Sequence, residues 1–253
     1  MSGKCTRKRL DVLLVERSLA GSRQKAQAMI LAGEIAVDGK RVQKAGAQVA
    51  DSARIEVHSR LQQYVSRGGF KLEGALRDFG IDPRGRVCLD IGSSTGGFTD
   101  CLLQHGATRV YAVDVNTEQL TWKLHEDARV TRVKKNAREL AAKDIAEQVE
   151  LVAADVSFIS VRKVLPGAVE CAKAGADFLI LIKPQFELQR EEVGRGGIVR
   201  DKKLHEAAVA SVRAAVELLG MVVLGVVASR LPGAEGNQEY FLQARKVAKI
   251  ESH

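Results

Sequence analysis

Two charged residues stand where strand ends, rather than open surface, are expected. Lys183 closes the apolar run Phe178–Lys183 in Leu181-Ile182-Lys183-Pro184-Gln185, and Asp155 follows the apolar run Val149–Ala154. A charge at the end of a buried strand is costly unless it is paired, which makes Asp155 the candidate partner of Lys183. Lys71, in Arg67-Gly68-Gly69-Phe70-Lys71-Leu72, and Glu239, in Gly236-Asn237-Gln238-Glu239-Tyr240-Phe241, supply a second pair. A lysine held in this way can stabilise a hydroxyl oxygen as it takes on negative charge. Taken singly, each of the four also reads as an ordinary surface charge. As a set they would titrate together.

A second chemical feature is Leu89-Asp90-Ile91-Gly92-Ser93-Ser94-Thr95-Gly96-Gly97-Phe98-Thr99, an apolar strand running into a glycine-rich turn with a helix behind it. Glycines serve where a backbone turns tightly and a ligand must come close. The string is neither the dinucleotide G-x-G-x-x-G nor a Walker loop ending in Gly-Lys-Ser/Thr. It reads D-x-G-x-x-x-G-G, and the next strand, Val110–Val115, carries Asp114 in position to accept hydrogen bonds from ribose hydroxyls. This pattern resembles the S-adenosylmethionine (SAM) loop of class I methyltransferases. The resemblance implies SAM as cofactor. Asp90, Gly92, Ser93, Ser94, Thr95, Gly96, Gly97 and Phe98 would form its site, with Asp114 on the ribose and Asp155 near the methyl group. Asn136, after the strand Val130–Val133, would touch the adenine.

Several acceptor chemistries lack their residues. No cysteine has a proline neighbour, as pyrimidine carbon methylation usually requires, and no cysteine triad supports radical chemistry. The place of an Asn/Asp-Pro-Pro-aromatic string, used on exocyclic amines, holds Asp155-Val156-Ser157-Phe158. O-methylation is the large class that remains.

The elements that must carry these residues follow from pattern. Val87–Ile91, Val110–Val115, Val149–Ala154, Phe178–Lys183 and Met221–Ala228 are β-rich runs separated by helical segments, which predicts a mostly parallel sheet covered on both faces. Asn237–Ala244 is expected to pair back beside Met221–Ala228 as an antiparallel edge. Ahead of this lies a smaller α/β unit. Leu10, Leu13, Leu14 and Leu19 recur at helical spacing, Ser22 is the expected N-cap of Arg23–Ala32, and Gly33 closes that helix. Asp38-Gly39 then signals a hairpin, and Ala53–His58 a further strand. The expected division is a first domain over 1–60, a linker over 61–66 and a second domain over 67–253.

Composition bounds the rest. The chain has 253 residues, 45% hydrophobic and 28% charged, which fits a folded globular protein. No apolar run approaches the roughly 18 residues of a spanning helix. The basic start is followed by Asp11, Glu16 and Arg17, unlike a signal peptide. Cys5, Cys88, Cys101 and Cys171 form no C-x-x-C pair, so neither a disulfide framework nor a metal site is expected, and a cytoplasmic setting is. Residues 1–67 hold 13 basic and 6 acidic residues, +7 of the chain's +8. Such crowding is the footprint of a polyanion-binding module.

The string Arg9–Val42 resembles the small RNA-binding domain first seen in ribosomal protein S-four. On that resemblance Arg9, Arg17, Arg23, Gln24, Lys25, Lys40 and Arg41 would face phosphate, with Arg67 further on. Lys71, Asp155, Lys183 and Glu239, in that order and context, resemble the Lys-Asp-Lys-Glu tetrad of FtsJ-type ribose 2′-O-methyltransferases. With the RNA-binding module in front, the motifs Val65-Ser66-Arg67-Gly68-Gly69-x-Lys71-Leu72, Asp155-x-Ser157-Phe158-Ile159-Ser160 and Lys183-Pro184-Gln185-Phe186-Glu187 are similar to those of the TlyA (hemolysin A) family. The resemblance implies a Rossmann-like α/β fold of the class I SAM-dependent type, with a seven-stranded, mostly parallel sheet and an antiparallel last strand. It also implies 2′-O-methylation of cytidines in ribosomal RNA, with Lys183 central and Asp155, Lys71 and Glu239 framing it. Three other readings are a non-catalytic RNA-binding or ribosome-assembly factor, a cytolysin, and a small-molecule O-methyltransferase. The intact tetrad and loop speak against the first. No barrel-like or spanning pattern supports the second, and the third leaves the basic module without a role.

Overall fold

The computed structural model describes residues 7–31, 33–57, 63–233 and 236–247. The chain forms two compact units, Met1–Gln63 and Tyr64–His253.

In the first unit, Leu10, Leu13 and Leu14 of α1 (Leu10–Glu16) and Ala26, Met29 and Ile30 of α2 (Arg23–Leu31) turn one apolar stripe inward. Ser22 caps α2 as its spacing suggests, its Oγ accepting from the Lys25 N–H at 3.2 Å. Asp38 and Gly39 both take positive φ, 50° and 77°, joining β2 (Ile35–Val37) to β3 (Lys40–Arg41). β5 (Ile55–Val57) pairs with the other side of β2, and His58, expected in that strand, lies outside the described residues. Sequence reading missed the two-stranded pairing of β1 (Arg7–Arg9) with β4 (Gln48–Ala50).

The second unit begins earlier than expected. Residues 61 and 62 lie outside the described set, but Tyr64, Val65 and Ser66, assigned to the linker by sequence, are built into the fold. Tyr64 is buried edge-on against Phe70, the Val65 N–H donates to Asp100 at 2.9 Å, and Ser66 is the N-cap residue of α3 (Arg67–Phe79). The reason is steric: a Cβ on Gly69 would run into the Tyr64 ring, so the bare glycine lets the entering chain lie flat on the helix.

Seven strands then form one sheet: β6 (Val87–Ile91), β7 (Arg109–Asp114), β8 (Val130–Lys134), β9 (Val149–Ala154), β10 (Ala172–Ile182), β11 (Met221–Ala228) and β12 (Tyr240–Lys246), in the order β11-β12-β10-β9-β6-β7-β8. The five strands from β10 to β8 are parallel. Their side chains alternate between two apolar layers: Leu89, Val152 and Ile180 on one face, Cys88, Leu151 and Leu179 on the other. Helices α4 (Gly97–Gln104), α5 (Trp122–His125), α6 (Leu165–Cys171), α7 (Pro184–Glu187) and α8 (Lys202–Leu218) occupy the connections.

One expectation is corrected. β12 is antiparallel, but it is not an edge: it inserts between β10 and β11, pairing with both, and β11 is the edge strand. With Phe241, Leu242 and Ala244 all buried, β12 has apolar surface for both layers, which an edge position would leave half-exposed.

Candidate active site

The carboxyl ends of parallel strands, where connections diverge to either side of the sheet, leave a crevice that α/β proteins use for ligands. Here that point lies between β6 and β9. A cavity of about 190 Å³ opens there, lined by Ser66, Arg67, Gly68 and Lys71 from the start of α3, Gly92, Ser93, Ser94, Thr95, Gly97 and Phe98 from the glycine-rich loop, and Asp155 after β9.

Two of the loop glycines are required by geometry. Gly92 has φ +85°, and a Cβ there would strike the Asp155 carbonyl oxygen; Gly96 has φ +95°, and a Cβ would strike Leu124. Ser94 also takes a positive φ, 47°, and its N–H donates to Asp114 Oδ2 at 3.0 Å while the Asn116 N–H donates to Oδ1 at 3.0 Å. Asp114 therefore shapes the loop as well as standing beside it. Of the residues expected at the cofactor, Asp90, Gly96, Asp114 and Asn136 lie outside the cavity lining, and Asn136 caps a turn by accepting from the Arg138 N–H at 3.1 Å.

Asp90 is fully buried one strand position before Ile91, with Thr99 Oγ1 donating to its Oδ2 at 2.6 Å. Burial pushes its carboxyl up to about 7, against the Thr99 hydrogen bond and with the charges of Asp155 and Asp114 adding to the rise. Its Oδ1 and the Ser93 Oγ are buried polar atoms with no hydrogen-bond partner among the described residues. Unmet polar atoms beside a glycine cradle, ringed by carboxylates, suit a ligand that brings both hydrogen-bond donors and positive charge. SAM, with its ammonium and sulfonium groups, meets that description. Gly92, Ser93, Ser94, Thr95, Gly97 and Phe98 are the residues that would hold it.

The four charged residues form two ion pairs. Lys183 follows β10 and Asp155 follows the adjacent β9, and the Lys183 ammonium is ion-paired with the Asp155 carboxylate and donates to Ser157 Oγ at 2.9 Å. Lys71 on α3 donates to Glu239 Oε2 at 2.5 Å, and this pair is deeply buried, 8% and 2% exposed. The inserted β12 explains the second pair's place. Ile182 registers with Tyr240, so Glu239, one residue earlier, reaches the strand end that bears Lys183. Both pairs touch the cavity, through Asp155 and Lys71.

Sequence reading missed three contributors. Ser157 was noted only within a motif. Glu187 ties the turn after Ser160 to the turn after Lys183. Asn237 is buried: its Oδ1 accepts from the Val199 N–H at 2.9 Å and its Nδ2 donates to the Gly197 carbonyl at 2.7 Å, pinning the loop that follows α7. Phe158, 90% exposed, takes a positive φ of 65°. The described cysteines are unsuited to nucleophilic work: Cys88, Cys101 and Cys171 are buried, and desolvation raises all three thiols, Cys88 to about 12 and Cys171 to about 11.

In the first unit the basic residues divide. Arg9 donates through Nε and Nη2 to the buried Asp11 carboxylate at 3.0 and 2.9 Å, and Arg23 through Nε at 3.1 Å. Arg17 donates to the carbonyls of Ala53, at 2.8 Å, and Asp51. These three, expected to face phosphate, are exposed and also tie the domain together. Gln24, Lys25, Lys40 and Arg41 are exposed. Arg67 is exposed at the rim of the cavity, with Nη2 donating to the Pro232 carbonyl at 3.2 Å.

Residues 64–246 match the FtsJ-like methyltransferase family and residues 8–55 match the S4 domain, so the chain belongs to the FtsJ-like methyltransferases and carries an S4 domain in front. Within that family it stands with the TlyA proteins. It is 46% identical to the 16S/23S rRNA (cytidine-2′-O)-methyltransferase TlyA of Mycobacterium tuberculosis, over 94% of this chain and 90% of that one. It is 41% identical to Hemolysin A of Brachyspira hyodysenteriae, over 92% and 97%. A solved structure of a Streptococcus thermophilus protein bearing the hemolysin name is 38% identical, with a TM-score of 0.75, covering 96% of this chain and 90% of that one.

Proposed function

We propose that this protein transfers a methyl group from SAM to the ribose 2′-hydroxyl of cytidine in ribosomal RNA. The observation that carries the proposal is the Lys183–Asp155 pair at adjacent strand ends, joined to the Lys71–Glu239 pair beside a glycine-walled cavity. An alcohol is a weak nucleophile at neutral pH and needs a positive charge held against its oxygen as the proton leaves. Lys183 supplies it, and Asp155 and Ser157 fix its direction. Lys71 and Glu239 neutralise each other and frame the acceptor site. SAM supplies an electrophilic methyl carbon. The loop residues Gly92 to Phe98 orient that carbon, and Asp155 stands where it can meet both cofactor and lysine.

The S4 domain supports an RNA substrate, and the exposed Lys25, Lys40 and Arg41 are suited to phosphate contacts. The hemolysin name borne by some relatives has no counterpart in this site chemistry, and none of the described helices is long and apolar enough to cross a membrane. A cytoplasmic setting suits an enzyme of ribosomal RNA. The test is transfer from labelled SAM to unmodified ribosomal subunits, with the modified nucleoside identified by mass spectrometry. 2′-O-methylcytidine is expected, and methyl on a base would contradict the proposal.

A further inference from the structure

Two turns leave neighbouring parallel strands at the site: residues 155–160 after β9, carrying Asp155 and Ser157, and residues 183–187 after β10, carrying Lys183. Charges at the tips of two separate turns keep a fixed distance only if the turns are fixed to one another. Glu187 makes that connection. It is 7% exposed, and its carboxylate accepts from Ser160 Oγ at 2.6 Å, the Val161 N–H at 2.7 Å and Arg162 Nε at 3.2 Å. Arg162 Nη2 returns a bond to the Glu187 carbonyl at 3.3 Å. All of these partners lie on the β9 side, whereas Glu187 belongs to the β10 side. A carboxylate buried this deeply is tolerated when several donors meet it, and here they do. The rings of Phe158 and Phe186, 5.5 Å apart, add a second tie between the same turns. Phe158 keeps its left-handed backbone between Ser157 and the clamped Ser160, a conformation that persists only where surrounding contacts over-determine it.

We propose that Glu187 is a positioning residue of the methyl transfer: a buried clamp that locks the Asp155–Ser157 turn to the Lys183 turn, so that the ammonium is aimed before RNA arrives. This rests on the reading of Lys183 and Asp155 as the reacting pair. Glu187 bonds none of the four charged residues and acts through the turns alone.

The test compares full-length wild type, Glu187→Ala, Glu187→Gln and Ser160→Ala on unmodified ribosomal subunits, with Lys183→Ala as reference. Misplacing a catalytic group by about 1 Å costs on the order of 100-fold in rate. Glu187→Ala is therefore expected to lower kcat by about that factor, to leave KM for SAM within about two-fold, and to displace the pH profile of kcat. Glu187→Gln keeps an acceptor for the Val161 N–H and recovers most of the rate. Ser160→Ala loses the hydrogen bond to Glu187 together with two that its hydroxyl accepts from Arg162, and is expected to fall by about three- to ten-fold with a displaced profile. If Glu187→Ala does not fold, Ser160→Ala decides the matter. Wild-type kcat and pH profile in Glu187→Ala, or in Ser160→Ala where Glu187→Ala does not fold, would overturn the clamp while Lys183→Ala remains inactive. Full activity in Lys183→Ala would instead overturn the underlying reading, and the clamp with it.

Discussion

Lys183 donates to Ser157 and is ion-paired with Asp155, which holds its ammonium in place with N–H capacity left for an incoming hydroxyl. The pairing of Lys71 with Glu239 is of a different kind, because both are buried and neither can fall back on water. Removing one partner strands a buried charge, so Glu239→Ala is expected to cost about 3–5 kcal/mol in urea unfolding, and Lys71→Met with Glu239→Leu together much less. Equal losses for single and double variants would contradict this. Asp90 carries a raised pKa in the folded state. From about pH 4 to about 7 the folded chain keeps a proton that the unfolded chain has given up, so stability declines across that window and the cost is complete above it. Asp90→Asn is then expected to raise the melting temperature at pH 8 by about 5 °C, with the gain shrinking towards pH 4, and to weaken SAM binding measured by calorimetry. The Lys183–Asp155 partnership was legible in the sequence from charges placed at strand ends, and Lys71 and Glu239 were legible as a second pair of opposite charges. Ser157 and Glu187 were not, because a serine or a glutamate within a motif shows its partners only once two turns distant in sequence are folded side by side.

At the scale of elements, the antiparallel insertion of β12 is what brings Glu239 to Lys183. Sequence pattern located the strand, its direction and its pairing with β11 but not its second neighbour β10, since apolar alternation reports burial and not which strand lies alongside. The first unit teaches a similar lesson. Arg9, Arg17 and Arg23, expected to face phosphate, are exposed and also give donors to the buried Asp11 and to the backbone of residues 51–53. Asp11 also accepts from Gln27 at 2.8 Å, so it joins β1, α1 and α2. Its hydrogen bonds, that from Arg9 foremost, hold the carboxyl well below the usual range. The stability it contributes is thus present above about pH 4 and lost as the pH falls further. Asp11→Ala is expected to destabilise this unit by about 2 kcal/mol in thermal or urea unfolding, and the difference from wild type should narrow at low pH. An unchanged midpoint would show the cluster to be unimportant.

At the scale of the molecule, a basic first unit and a nearly neutral second one suggest a division of labour between holding RNA and carrying out transfer. If phosphate contacts dominate binding, RNA affinity should fall on the order of 100-fold between about 50 and 200 mM salt. Residues 64–253 alone should bind SAM as the full chain does and lose most of that RNA affinity, as read by calorimetry and filter binding. RNA affinity equal to that of the full chain would remove the division. The central claim is tested most directly by mass spectrometry of ribosomal RNA after incubation with SAM and either wild type or Lys183→Ala. 2′-O-methylcytidine formed by wild type and absent with the variant is the expected result. The same nucleoside formed at equal rate by Lys183→Ala would contradict it.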